Sequence, residues 1–137
     1  MPLDVRRVEY YNITLSDDIA AASMMLADVA GVGVDQLAFK AIRRGPGHTR
    51  FTLFPENGTL LKDEAAREGW GLDGPHTALI IRGAEEPGAL SRIYEKLSQG
   101  HIRVEESSGI AHVNGGYGVV LYLTNEECDR AIAALEA

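Results

Sequence analysis

Cysteine is nearly missing from this chain: Cys128 is the only one in 137 residues. No disulfide can close within the chain, and a four-cysteine metal site is excluded. The four histidines, His48, His76, His101 and His112, never stand at metal-motif spacing, so no metal is expected. Basic charge is also scarce, with 13 Lys+Arg against 20 Asp+Glu and a net charge of −7. A protein that tracks phosphate backbones or adheres to anionic lipid needs clustered cations, so neither nucleic acid nor membrane is an expected partner. No stretch approaches the roughly 18 apolar residues of a membrane span. The start, Met1-Pro2-Leu3-Asp4-Val5-Arg6-Arg7, has no apolar run of the signal-peptide kind, which points to a cytoplasmic protein. Catalytic signatures are missing too. Ser107-Ser108 and Cys128 have no nucleophile motif around them, and no acid, base and cofactor constellation emerges. The expectation is a protein that is not an enzyme and carries no cofactor.

What is present is an ordinary globular composition, 45% hydrophobic and 24% charged, laid out as a repeat. The first pass has an alternating strand over Tyr10–Leu15 and a helix from about Asp17, its stripe formed by Ile19, Ala22, Leu26 and Val29. Gly31 suits a left-handed helix exit. A strand follows through Leu37, Phe39 and Ala41, then the turn Gly45-Pro46-Gly47. A third strand has Phe51 and Leu53 on one face and Thr52 and Phe54 on the other. A short helix over Leu60–Glu68 closes at Gly69.

The second pass opens with Thr77–Ile81, apolar on both faces and therefore a central strand. Pro87 suits a first helical turn, and Leu90, Ile93, Tyr94 and Leu97 form the stripe of a helix ending at Gly100. Ile102–Glu106 reads as an edge strand, Asn114-Gly115-Gly116 as a hairpin turn, and Tyr117–Leu123 as its second strand. Thr124 and Glu127 have capping-box spacing ahead of a helix lined by Cys128, Ala131, Ile132 and Leu135. A buried structural thiol is the expectation for Cys128.

The halves superpose at a shift of 66 to 69 residues, dividing the chain into units 1–73 and 74–137. The fold class expected is α+β: two ferredoxin-like βαββαβ units with antiparallel sheets and helices on one face. Residues 70–76 have room for a fourth strand in the first unit. The second has none after its last helix, and Asp4–Glu9 is the segment left to fill that slot. Leu90, Ile93, Leu97, Ala131, Ile132 and Leu135 are expected to pack on Leu79, Ile81, Val120 and Tyr122. That leaves Tyr117, Val119 and Leu121 outward and in need of cover, which favours a homodimer.

Pro87-Gly88-Ala89-Leu90 after the strand Ala78–Ile81, the exit Gly100–Ile102, Gly109, and the hairpin before Tyr117-Gly118-Val119-Val120 together resemble the ACT domain, here in tandem. The resemblance implies a regulatory amino-acid binder whose ligand lies between this loop and the second strand of a paired unit, with a regulated enzyme as a further partner. The implied site comprises Glu85, Glu86, Pro87, Gly88, Ala89, Leu90 and Gly109. A weaker second site, Ser16, Asp17 and Asp18, departs from the Pro-Gly pattern. Chemistry supports the first loop independently. A helix start exposes unpaired N–H groups at the positive end of the dipole, and a glycine lets a carboxylate approach the backbone. Glu85 and Glu86 either complement that dipole or meet a ligand ammonium. A plain helix start without a ligand, in a module that only holds an oligomer together, is the other reading of the same residues.

Gly115–Tyr122 also looks like the signature octamer of the RNA-recognition motif, but its first position lacks Lys or Arg and Val119 stands where a stacking ring belongs.

Overall fold

The computed structural model describes residues 3–16, 18–84, 87–112 and 115–137. The element order is β1 (Asp4–Ser16), α1 (Ile19–Gly31), β2 (Gln36–Arg43), β3 (His48–Pro55), α2 (Gly58–Glu68), β4 (Leu72–Ala84), α3 (Ala89–Gln99), β5 (Glu106–Ala111), β6 (Gly116–Tyr122) and α4 (Asn125–Glu136). The fold is α+β and its strand pairs are antiparallel.

Two compact units divide the chain: Glu9–His76, and Thr77–Ala137 together with the start of β1 through Val8. In the first, the strands run β2-β3-β1-β4. Alternation puts Tyr11 and Ile13 of β1 and Phe51 and Leu53 of β3 on one side, where Met25, Val29 and Leu61 of the helices bury against them. Asn57 starts α2 by accepting hydrogen bonds from the Thr59 and Leu60 N–H groups at 3.1 and 3.2 Å. Gly69 ends it, as the sequence suggested, and is left-handed at φ 76°.

In the second unit the order is β5-β6-β4-β1, so the first residues of β1 fill the fourth-strand position beside β4. Leu3 and Val5 pack on the core of this unit, and Arg7 forms a 2.6 Å ion pair with Asp129 of α4. Leu79, Ile81, Ile93, Leu97, Cys128, Ala131 and Leu135 form that core. Ala78 and Ile80 are buried as well, in keeping with a central strand. Arg130 of α4 donates to the Gly100 carbonyl at 3.0 Å, satisfying the end of α3 with a cation where the dipole is negative.

Several expectations of detail are corrected. β6 presents Val119 and Leu121 to the helices, with Tyr117 beside them, and not Val120 and Tyr122. The supposed outward apolar face is therefore the inward one. Leu90 is 57% exposed and lies outside this core. In α1 the buried stripe is Met25 and Val29, while Ile19 is 83% exposed. Phe39 and Ala41 of β2 are exposed too. The strand expected over Ile102–Glu106 begins only at Glu106, although Ile102 and Val104 still pack on the core. Gly33, at φ 86°, makes the left-handed exit assigned to Gly31, and its N–H donates to the Ala30 carbonyl. Gly100 has φ −85°. It is glycine for another reason: a Cβ there would sit 2.9 Å from the Ala134 Cβ.

Candidate functional site

The start of α3 is unusual. Its cap is Gly88 at φ 80°, left-handed, a residue with no side chain to accept from the first N–H groups. Pro87 precedes the cap and is not in the first helical turn. A residue with a capping oxygen would normally satisfy one of those donors. The N-cap residues of the other three helices, Asp18 at α1, Asn57 at α2 and Thr124 at α4, do so.

Facing this bare helix start is a cleft of about 620 Å³. Gly88, Ala89, Leu90 and Ser91, with Tyr94 one turn on, form one wall. The other comes from β5, Ser107 through Ala111, with Tyr117, Gly118 and Val119 of β6. The Tyr94 and Ser107 hydroxyls are hydrogen-bonded to each other and tie α3 to the strand. Gly109 pairs with Val119 in the ladder. A Cβ at Gly109 would stand 2.9 Å from the Gly118 carbonyl oxygen and 3.2 Å from the Val119 side chain, so the strand can approach only as glycine. Within that wall, Tyr117 lies so close to its ladder partner Gly83 that a Cβ there would meet its hydroxyl at 2.7 Å. Edge strand β5 is exposed at every residue, and Ile110 is 79% exposed.

The cleft thus brings together Gly88, Ala89, Leu90 and Gly109, all singled out from sequence. Pro87 does not line it. Glu85 and Glu86 lie outside the described residues, as does Asp17. In the weaker loop, Asp18 accepts a hydrogen bond from the Ala20 N–H at 2.9 Å, so its own carboxylate occupies that helix start. Sequence reading missed Ser91, Ile110 and Ala111 as wall residues, and it met Tyr94 and Ser107 only as stripe and non-nucleophile. Their shared signal is position, since each lies on the turn of α3 or the strand that flanks Gly88 and Gly109.

Acidic residues gather elsewhere. The carboxylates of Asp28, Glu64 and Glu68 lie within 4.8 Å of one another. Buried Glu64 accepts two hydrogen bonds from Arg67 Nη2, at 2.5 and 2.6 Å. The Glu64 bond and charge raise the Arg67 pKa above its already high ordinary value, so the guanidinium supplies the counter-charge this cluster needs. No helix among the described residues is long and apolar enough to cross a membrane.

No protein-family model matches this chain. No curated protein matches it either. Solved structures do. A protein from Bacteroides thetaiotaomicron is similar at TM-score 0.82 and 15% identity, over 96% of this chain and 88% of that one. The regulatory subunit of aspartate kinase from Thermus thermophilus, in ligand-free form, is similar at TM-score 0.66 and 13% identity, over 98% and 95%. The regulatory subunit from Thermus flavus gives TM-score 0.54 and 14% identity over the same shares. With the strand orders above, these likenesses establish an α+β, ferredoxin-like fold, consistent with the resemblance to the ACT domain.

Proposed function

We propose that this protein is a non-catalytic regulatory module that binds an amino acid or similar small carboxylate in the cleft between α3 and β5. The observation that carries the reading is the glycine-capped start of α3 opening onto that cleft. The N–H groups of a helix start and the positive dipole end suit a carboxylate, and Gly88 keeps the approach clear. The apolar wall at Leu90 and Ile110 suits a side chain of the ligand. The solved regulatory subunits of aspartate kinase support a regulated enzyme as the partner in the signal. The Thr77–Ala137 unit holds both walls, so the cleft does not depend on Asp18.

Homodimerisation through β5 belongs to the same proposal. The apolar β6 face that first suggested a dimer is turned inward. The outer edge of β5, which ends the sheet among the described residues and is exposed throughout, now carries the argument, because such an edge is a template for another strand. A dimer formed there would add a third wall to the cleft.

Leu90→Glu is the variant of choice. It places a carboxylate beside the helix start at an exposed position where acid is favourable for the helix, so folding is retained. A thermal-shift screen of the wild type against the standard amino acids should find one that raises the melting temperature. Leu90→Glu should bind that amino acid at least about tenfold more weakly, or ~1.4 kcal/mol. Unchanged affinity in the folded variant defeats the site. A screen with no shift leaves the structural module as the better reading. Gly88→Val is a poorer choice, since a branched residue is strained at φ 80° with or without a ligand.

A further inference from the structure

A second concavity, of about 490 Å³, lies within the Glu9–His76 unit, on the side of its sheet away from α1 and α2. Tyr11, Ile13, Phe51 and Leu53 face the helices, so alternation turns Asn12, Thr14 and Arg50 the other way. Thr14 and Arg50 are ladder partners on β1 and β3, and Asp73 joins them from neighbouring β4. Three adjacent strands therefore present a guanidinium, an amide, a hydroxyl and a carboxylate to one space.

The charges in it are matched but not joined. Arg50 acts electrostatically on Asp73, yet they form no ion pair with each other. Asp73 is held in place from its own side, by the His76 ring at 3.0 Å and the Asn12 amide at 3.3 Å. Asn12 is fixed in turn by the Thr52 hydroxyl, which donates to its Oδ1 at 2.6 Å. Arg50 is the incomplete member. Its Nε is buried and has no hydrogen-bond partner among the described residues, an expensive state for a guanidinium donor. Backbones of β3 and β4 are two strand spacings apart, roughly 10 Å. Side chains reaching inward from both leave a gap that one small bridging molecule can span.

We propose that this concavity is a second ligand site, for a small zwitterion whose carboxylate meets Arg50 and whose ammonium meets Asp73. Thr14 and Asn12 line the floor between the two charged ends. The complement is amphoteric, so a simple anion gains Arg50 but is repelled by Asp73. This site is separate from the α3–β5 cleft and does not rest on it.

The test uses the full 15N-labelled chain and backbone amide shifts, titrated with the standard amino acids singly, then with acetate and ethylamine. At least one amino acid should move the Asn12, Thr14 and Gly71 amides saturably. Acetate and ethylamine should bind there at least about tenfold more weakly. Arg50→Met should weaken the amino acid at least tenfold while shifts at Gly88–Ser91 stay as in the wild type. Asp73→Asn, at an exposed side chain, gives the same reading should Arg50→Met fail to fold. The proposal is overturned if no amino acid moves those amides, if acetate binds as well as the amino acid, or if the folded variants bind unchanged. Failure at Gly88–Ser91 alone would count against the α3–β5 cleft and leave this site standing.

Discussion

Gly109 shows how a single missing Cβ shapes the cleft. Gly109→Ala forces a methyl against the Gly118 carbonyl and Val119, and β5 must lift away from β6. We expect a loss of about 1–3 kcal/mol in urea unfolding, with lost amide protection concentrated in β5. A loss no larger than that of an exposed Ser108→Ala would show that the strand has slack. Cys128 makes the opposite point, a side chain defined by enclosure. Burial pushes its thiol pKa up, since the thiolate is the form that burial disfavours. The thiol is neutral in the folded chain while an unfolded one ionises near pH 8.5. Its contribution is therefore complete below that pH and is lost as pH rises through the raised folded value. Stability should decline on the alkaline side, and Cys128→Ala should remove that part of the decline. In the native protein a thiol reagent should react only at the rate of opening.

At the scale of elements, legibility followed how one-sided each segment was. Thr124 and Glu127 announced the start of α4, and the Thr124 hydroxyl does accept from the Glu127 N–H. Asn57, not recognised from sequence, caps α2 with two bonds, and Asn57→Ala should cost about 1 kcal/mol, read by thermal or urea unfolding. An unchanged midpoint would mean water replaces both bonds. Strand β6 misled because Tyr117, Val119 and Leu121 alternate with Val120 and Tyr122, apolar at both parities. Period two gives no answer when both faces are apolar, and the register against β4 decides. Helix α1, Ile-Ala-Ala-Ala-Ser-Met-Met-Leu at its start, is apolar nearly all round, so Met25 and not Leu26 could be chosen only by packing. The cleft was half legible. Gly88 and Gly109 stand out by their conformational demands, whereas Ser91, Ile110 and Ala111 are ordinary residues that only the fold gathers. Arg50 gave no signal, because nothing in sequence marks an arginine whose Nε will be buried without a partner among the described residues.

At the scale of the whole molecule, β1 contributes residues through Val8 to one unit and residues from Glu9 to the other. Deleting Met1–Val8 should cost the Thr77–Ala137 unit about 2 kcal/mol or more, since Leu3 and Val5 leave its core. Hydrogen exchange should find protection lost along Thr77–Ala84, and unchanged protection there would mean the segment is dispensable. The same feature bears on how the chain is made. Arg7 and its partner Asp129 are 122 residues apart, so at ribosomal speed the first strand waits on the order of ten seconds for its last contact. During that interval Leu3, Val5 and Val8 are apolar residues without a core, the kind of surface a chaperone holds. Nascent chains arrested with Leu72 newly exposed should be trimmed by protease through Val8. Chains arrested after Ala137 has cleared the exit tunnel should resist.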